Sequence, residues 1–420
     1  MGDYTDKREW QPVEEREKGL VEKLRGITKH AYEKAPAMKK RFDEAGFHPS
    51  QINRIEDIEK IQIITRDEYI KMQRETPPFG GFLTVPYETL KRIYVHPGPQ
   101  YETLAHADIE HAQKVLWKVG AKRGDIVINA VAYHFVPAGL LVDDILTSMG
   151  ITVVPTGFGN TDLQVQIMYD LKATLFAGFP LFFMSVIKKA EELGYNFKRD
   201  FHIKRALALG SSPVRKSLEE DYGIDTREIY AYLPVGIPAC ECDEKSGMHI
   251  EEDFIVEVVD PATGKQLPCG EVGELVVTTT FNEILPRIRF GSGDLSCLTD
   301  EPCPCGRTSY RIPKILGRVG EGVKIRGMFV HPLEVEDVVS KIPGISRFQI
   351  AVTHEDMKDV ITAKLELEKE DLDKDAITKS FMTDFQNRCR VRVNKVEFVH
   401  KGTIPEDAKK IEELRKEVIL

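Results

Sequence analysis

The sequence has no excess of positive charge. Its 58 lysines and arginines are outnumbered by 67 aspartates and glutamates, for a net charge of -9, so no basic face for a nucleic acid is expected. A long apolar run is also missing: the most apolar stretch, "TLFAGFPLFFMSVI" from Thr174 to Ile187, is too short to span a bilayer and contains Pro180. The opening "MGDYTDKREWQPVEEREKG" has no apolar signal core. No membrane partner is expected, and the chain reads as cytoplasmic. Cysteine is sparse, 7 in 420 residues, and its spacing is not that of a secreted disulfide framework. Most of the cysteines lie between Cys240 and Cys305, which suggests a metal before disulfides.

What is present, 42% hydrophobic and 30% charged residues, is the composition of an ordinary globular protein, and the length predicts two or three domains. From about Val13 to Ala45 apolar and charged residues alternate at helical spacing, as in "GLVEKLRGITKHAYEKAP", predicting helices on the outside of a larger body. From Ala105 helix-like runs alternate with short β-branched runs such as "DIVINAVAY", "TLFAGFP" and "RALALGSS". That rhythm predicts an α/β domain with a largely parallel sheet. After Tyr230 the pattern changes to strands and turns, "FIVEVVD", "PATGKQLPCGEVG" and "ELVVTTT", an antiparallel meander. A glycine-dense stretch, Arg318 to Gly322, reads as a hinge, followed by a small α+β unit. The expected fold class is therefore α/β: a large N-terminal domain over 1–317, with parallel sheets, helices and a β meander, and a small mobile C-terminal domain over 318–420.

Four stretches in order, "ALGSSPV", "IRFGSGDLSCL", "GRVGEGVKIRGMFVHPLEVE" and "GTIPEDAKKIEELR", resemble the phenylacetate–CoA ligase branch of the adenylate-forming enzymes. The resemblance implies a large domain that joins ATP and an aryl or acyl acid into an acyl-adenylate, and a small domain that rotates so that CoA can attack. It places Asp294 on the ribose, Arg318 at the domain junction and Tyr230 against adenine, with Ser211 and Ser212 where the family's adenine turn carries an alanine and a glutamate. Gly320, Arg326 and Gly327 fall in the hinge and CoA segment. Lys409 and Lys410 are the nearest candidates for the family's C-terminal catalytic lysine; the alternative is two lysines on a final amphipathic helix. Tyr133, His134 and Phe135 of "NAVAYHFVPAG" are the expected acyl pocket, with His134 as a lining residue, since a carboxylate ionised at neutral pH needs no base. The implied partners are the acid and CoA, with a homodimer kept open.

Against that pattern several features are absent. In "RIYVHPGPQYET", where the family has a longer Ser/Thr/Gly-rich loop ending in lysine and proline, there is one glycine and no lysine, serine or threonine between Tyr94 and Glu102. Pro97 and Pro99 also remove two amide donors. Pro234 stands where the family has a Mg2+-binding glutamate, and a proline side chain cannot ligate magnesium. Gly320-Glu321 replaces a hinge pair of aspartates, and "EDAKK" lacks the glycine before the lysine. All of these concern the triphosphate half of the reaction, so adenylation is expected to be impaired and Mg2+ is doubtful. Two alternatives stay open: a non-catalytic pseudo-ligase that binds acyl-CoA, acyl-adenylate or a protein, and an enzyme that performs only the thioester half-reaction or takes another activated acyl donor.

The cysteines suggest one more site. Cys242 and His249 flank a predicted hairpin turn, and Cys303 and Cys305 form a C-x-C on a Pro/Gly loop. Four such ligands on two loops make a closed tetrahedral zinc site, structural because no position is left open; reduced loop cysteines are the alternative. Cys240 and Cys297 are reserve ligands, and Cys269 and Cys389 read as unrelated.

Overall fold

Short β-branched runs separated by helix-length segments build an eight-stranded sheet, five strands of which, at one side, are parallel. The computed structural model describes residues 4–96, 99–209, 214–232, 235–320, 323–325, 328–330, 332–355, 358–369, 371–389 and 391–415. In spatial order the strands are Arg311–Ile312, Met248–Ile250, Gly236–Glu241, Asp225–Tyr232, Arg205–Leu209, Leu175–Gly178, Ile126–Asn129 and Thr152–Val154. The last five named pair in parallel, and Gly236–Glu241, Met248–Ile250 and Arg311–Ile312 add antiparallel. Parallel neighbours need crossovers, and the helices Ala138–Ser148, Thr161–Asp170, Pro180–Glu192 and Arg215–Glu220 lie in them.

The sheet is buried on both faces, and its residues divide with period two. Val127, Leu175 and Leu207 enter one core with Val115, Leu141 and Ile145. Their neighbours Ile128, Phe176 and Ala206 enter the other with Phe183, Val186 and Ile187. The Phe176 and Phe183 rings stack at 4.1 Å between centroids; each buried ring contributes about 1.5–3 kcal/mol relative to an exposed one.

The predicted meander forms a four-stranded sheet, Phe254–Val259, Gly273–Thr279, Phe290–Ser296 and Gly317–Arg318. Its first turn closes because the Asp260 carboxylate accepts the N–H groups of Ala262 and Thr263 at 2.9 and 3.0 Å, the Asx geometry expected of Asp in a turn. The N-terminal helix Val13–Lys34 puts Leu24, Ile27 and Ala31 in the interior.

The chain divides into two compact units: Met1–Glu271, Leu275–Ser292 and Cys297–Ile315 in the larger, and Val272–Glu274, Gly293–Ser296 and Leu316–Leu420 in the smaller. The smaller one contains a sheet ordered Lys395–Val399, Lys358–Leu367, Ile345–Glu355, Ile411–Glu413. The helices Pro332–Ser340 and Lys374–Cys389 contribute Val335, Val338, Phe381 and Phe385 to its core with Ile350, Val352 and Ile361. Here one expectation is corrected. Lys409 and Lys410 do not lie on a final amphipathic helix: Ile411–Glu413 is a strand, parallel to Ile345–Glu355 with Ile350 opposite Ile411. Ile411 is buried in the core, and that burial, together with the ladder bonds, outweighs the helix propensity of a Lys/Glu-rich run. Among the described residues no helix is long and apolar enough to cross a membrane.

Candidate functional site

The sheet brings the four metal-ligand candidates together. Cys242 follows the strand Gly236–Glu241, and His249 sits on the strand paired to it, opposite Cys240. Arg311, opposite His249 on the next strand, ends the loop that carries Cys303 and Cys305. That loop turns at Gly306, whose N–H donates to the Cys303 carbonyl at 2.9 Å. Sγ of Cys242 and Sγ of Cys303 are 3.7 Å apart, Sγ of Cys305 is 3.4 Å from His249 Nε2, and all four ligand atoms lie within 4.8 Å of one another. A tetrahedron with zinc–sulfur bonds of about 2.3 Å and a zinc–nitrogen bond of about 2.0–2.1 Å has edges of about 3.8 Å between sulfurs and about 3.6 Å between sulfur and nitrogen. Two of the six separations, 3.7 and 3.4 Å, match those edges, and the others are no longer than 4.8 Å.

The electrostatics favour a metal at His249 and Cys303, while burial pushes the Cys305 thiol up to about 12. His249 is held down to about 3, by burial first and then by the positive charges of Arg307 and Arg311, so its ring is neutral, the form that binds a metal. Its Nδ1 faces Ser309 Oγ at 3.2 Å, leaving Nε2 toward the sulfurs. Burial raises the Cys303 thiol, but hydrogen bonds from Ser246 and from the Cys305 backbone outweigh it and leave the thiol below its ordinary value. Cys240, the reserve ligand, is not in the cluster; its thiol donates to Glu251 at 3.2 Å. Cys297 also lies outside it.

A feature invisible in the sequence covers this knuckle. The N-terminal turn Lys7–Trp10 crosses it, with Trp10 Nε1 donating to the Cys305 carbonyl at 3.2 Å and Arg307 stacked 5.5 Å from the Trp10 ring centre. Glu9 is buried between Arg307 and Lys118, and Lys118 reaches on to Glu251 at 2.7 Å.

Asp294 and Arg318 face each other across two paired strands, with Asp294 Oδ1 3.7 Å from Arg318 Nε. Arg318 lies over Gly293, where a Cβ would come within 2.9 Å of its Nη2 and where φ is +73°, so glycine is required there. Beneath them the buried Glu274 accepts the Gly293 N–H at 2.9 Å. Burial pushes Glu274 above the usual carboxylate range against that bond, and the nearby Asp294 charge adds to the rise. Sequence reasoning missed Glu274; strand alternation alone gave no signal for it.

Of the expected acyl-pocket residues, Tyr133 is held in place: its hydroxyl donates to Asp143 at 2.9 Å and accepts from Asn129 Nδ2 at 2.6 Å. His134 is exposed, as is Phe135, at 78% and with φ of +65°. Tyr230 is buried in the core cluster that includes Tyr232 and Phe254. Lys410 pairs with Glu336, Lys409 is exposed, and Gly320 adopts φ of +88°. Gly210, Ser211, Ser212, Pro213, Pro234, Glu321, Gly322, Arg326 and Gly327 lie outside the described residues.

The stretch "RIYVHPGPQYET" forms a tight antiparallel hairpin, Tyr94–His96 against Gln100–Glu102, with His96 opposite Gln100; Pro97 and Gly98 at its tip lie outside the described residues. Its polar groups turn inward. Glu102, 1% exposed, binds the buried Arg287 at 2.7 Å, Gln100 donates to Glu102 at 2.9 Å, and the Val95 N–H is spent on the Phe135 carbonyl at 2.9 Å.

Residues 327–416 match the AMP-binding enzyme C-terminal domain. The phenylacetate–coenzyme A ligase of Thermus thermophilus is 32% identical over 381 residues, covering 87% of this chain and 84% of that protein. The phenylacetate–coenzyme A ligase of Aromatoleum evansii is 32% identical over 367 residues, 83% and 81% of the two chains. In structure, the chain is similar to 2-hydroxyisobutyryl-CoA ligase solved in an open conformation with 2-HIB-AMP and CoA, at a TM-score of 0.84 and 25% identity over 96% of this chain and 93% of that one. That ligase is also solved in postadenylation and thioesterification states. Identity at this level, carried through most of both chains and joined to a shared fold, places the chain in the phenylacetate–coenzyme A ligase family of adenylate-forming ligases.

Proposed function

We propose that the protein converts a carboxylic acid, of the aryl or short acyl class, into its CoA thioester through an acyl-adenylate. In the first step a carboxylate oxygen attacks the α-phosphorus of ATP and pyrophosphate leaves. In the second the CoA sulfur attacks the acyl carbon and AMP leaves. The observation that carries the reading is the Asp294–Arg318 pair on adjacent strands, in a chain 32% identical to a phenylacetate–coenzyme A ligase. In this reading the Asp294 carboxylate accepts both ribose hydroxyls, Arg318 lies beside the nucleotide, Tyr230 backs the base, and Tyr133, fixed by Asn129 and Asp143, bounds the acyl group. Lys409 or Lys410 approaches the reacting carboxylate, and Ser211 and Ser212 line the adenine turn.

The test is acid-dependent CoA thioester formation across a panel of aryl and acyl acids, with nucleotide affinity measured alongside. Asp294→Ala should weaken ATP and AMP equally, by about tenfold to a hundredfold, because a bond to a charged acceptor is worth about 1.5–3 kcal/mol. An unchanged AMP affinity would remove Asp294 from the ribose site.

The smaller unit is taken as the moving C-terminal domain, with Gly320 as a pivot. Gly320 adopts φ of +88°, which proline cannot reach. Gly320→Pro should therefore slow thioester formation at least about tenfold while AMP affinity stays within about twofold, since closure gates the second step and not binding. Equal loss of both, or of neither, counts against a pivot.

Structural zinc completes the proposal, held by Cys242, His249, Cys303 and Cys305. The supporting observations are the close approach of the four ligand atoms, the neutral His249 ring and its Ser309 partner. With four protein ligands the metal takes no part in the chemistry.

A further inference from the structure

We infer, resting on the reading that Tyr133 bounds the acyl group, that the acid carries a flat aryl body of more than one ring, and that Phe158 and Phe179 select it. The strand Ile126–Asn129 pairs in parallel with Thr152–Val154 on one side and with Leu175–Gly178 on the other. The chain visits the first neighbour and then crosses to the second. This is a switch point, and open α/β sheets take their ligands at the carboxyl ends of the strands there.

Each of the three strands delivers an exposed phenylalanine to that end. Phe135 follows the middle strand, and Phe158 and Phe179, 48% and 47% exposed, follow the outer two. The Phe158 and Phe179 rings stack at 6.0 Å between centroids and 17° between planes. Their strands are not neighbours, so the stack lies across the end of the middle strand, the one that leads to Tyr133.

The exposure is built in. Phe158 lies between Gly157 and Gly159, at φ of +61° and +83°, values that suit glycine. Gln164 Nε2 donates to both glycine carbonyls at 2.9 Å, and the Gly157 N–H donates to the Asn129 carbonyl at 3.0 Å. The Phe182 ring meets Phe158 at 5.8 Å and 82°. Asn129 also holds the Tyr133 hydroxyl, so one residue sets both Tyr133 and the backbone beside Phe158. Phe135 keeps its left-handed backbone with its carbonyl tied to Val95; strain of that kind collects at ligand sites.

The stack also defines how a ligand can lie. Packed carbons need about 3.5 Å on each side, so no third ring enters between Phe158 and Phe179, and the pair offers its outer surface as a ledge. A flat ring matches such a surface. A short acyl chain at Tyr133 would leave both phenylalanines in water.

The experiment is calorimetry of the full chain with acylsulfamoyl adenosines, which keep the shape of an acyl-adenylate without its reactive bond. The 4-biphenylacetyl compound should bind at least about tenfold tighter than the phenylacetyl one. The 4-cyclohexylphenylacetyl compound, as apolar but not flat, should bind at least about threefold more weakly than the biphenyl. In the double variant Phe158→Ala, Phe179→Ala the biphenyl-to-phenyl ratio should fall below about threefold. A second ring that adds nothing, a cyclohexyl group as good as phenyl, or an unchanged ratio in the folded double variant would each overturn the ledge. Should the double variant not fold, the three compounds on the unaltered chain decide alone. If the phenylacetyl compound binds and the second ring adds nothing, only the ledge falls. If none of the compounds binds, the acyl-adenylate reading falls and the ledge with it.

Discussion

Cys303→Ser is expected to release the metal and lower the unfolding free energy by several kcal/mol, and the unaltered protein to contain about one zinc per chain. The size of the effect follows from what the site joins. Cys242 and His249 belong to the antiparallel half of the large sheet, while Cys303 and Cys305 sit on a loop some sixty positions on, and Cys303 is buried. Without a metal, the side chains of three cysteines and a histidine must pack with sulfur facing sulfur at 3.7 Å, a contact worth little. With a metal, those contacts become four coordinate bonds whose formation is coupled to folding. The clamp by Trp10 and Glu9 over the same loop should keep the loop close to its native path, so the substituted protein should fold but melt earlier. Metal analysis after expression without added zinc, together with denaturation in chelator, checks this. Less than a tenth of an equivalent of zinc, with no change in stability, refutes it.

The contrast between that cluster and its surroundings shows what a sequence exposes. Cys and His are rare, and their side chains have a narrow chemistry, so Cys242, His249, Cys303 and Cys305 could be grouped before any fold was known. Ser309, Trp10 and Arg307 could not, because serine, tryptophan and arginine have many uses and their roles depend on contacts between distant positions. The parallel sheet was legible for a similar reason: runs such as "TLFAGF" and "RALAL" suit strands buried on both faces and little else. The strand Ile411–Glu413 was not, since it rests on one buried residue, Ile411, in a run otherwise suited to a helix. Glu274 looks like any glutamate in a strand until Gly293, Asp294 and Arg318 are placed beside it. The hairpin at Tyr94–Glu102 could be read as a stretch without lysine, serine or threonine, but not as the place where a buried Glu102–Arg287 pair is made.

That hairpin leads to the largest expected effect. Thioester formation driven by ATP and the acid should run at least about a thousandfold slower than thioester formation from a supplied acyl-adenylate, because only the first depends on holding the triphosphate. A triphosphate is clamped by backbone N–H groups, hydroxyls and a lysine. Between Tyr94 and Glu102 the chain has no lysine, serine or threonine. The Val95 N–H is committed to Phe135, and the side chains of Gln100 and Glu102 are committed to each other and to Arg287. Each missing donor to a developing negative charge costs about 2.7–4 kcal/mol of transition-state stabilisation, so the loss of two already gives about ten-thousandfold. The ribose contact through Asp294 does not depend on the phosphates, so AMP and ATP should bind within about tenfold of each other, a gap of about 1.4 kcal/mol. Single-turnover rates from ATP plus acid, and from synthetic acyl-adenylate plus CoA, make the comparison directly. Rates within tenfold of each other would show that other groups hold the triphosphate, and the chain would be a complete two-step ligase. A fast second step beside a slow first would make it an enzyme of the thioester half-reaction, fed with activated acyl groups. No turnover from either substrate, with acyl-CoA still bound, would leave a binding protein built on a ligase fold.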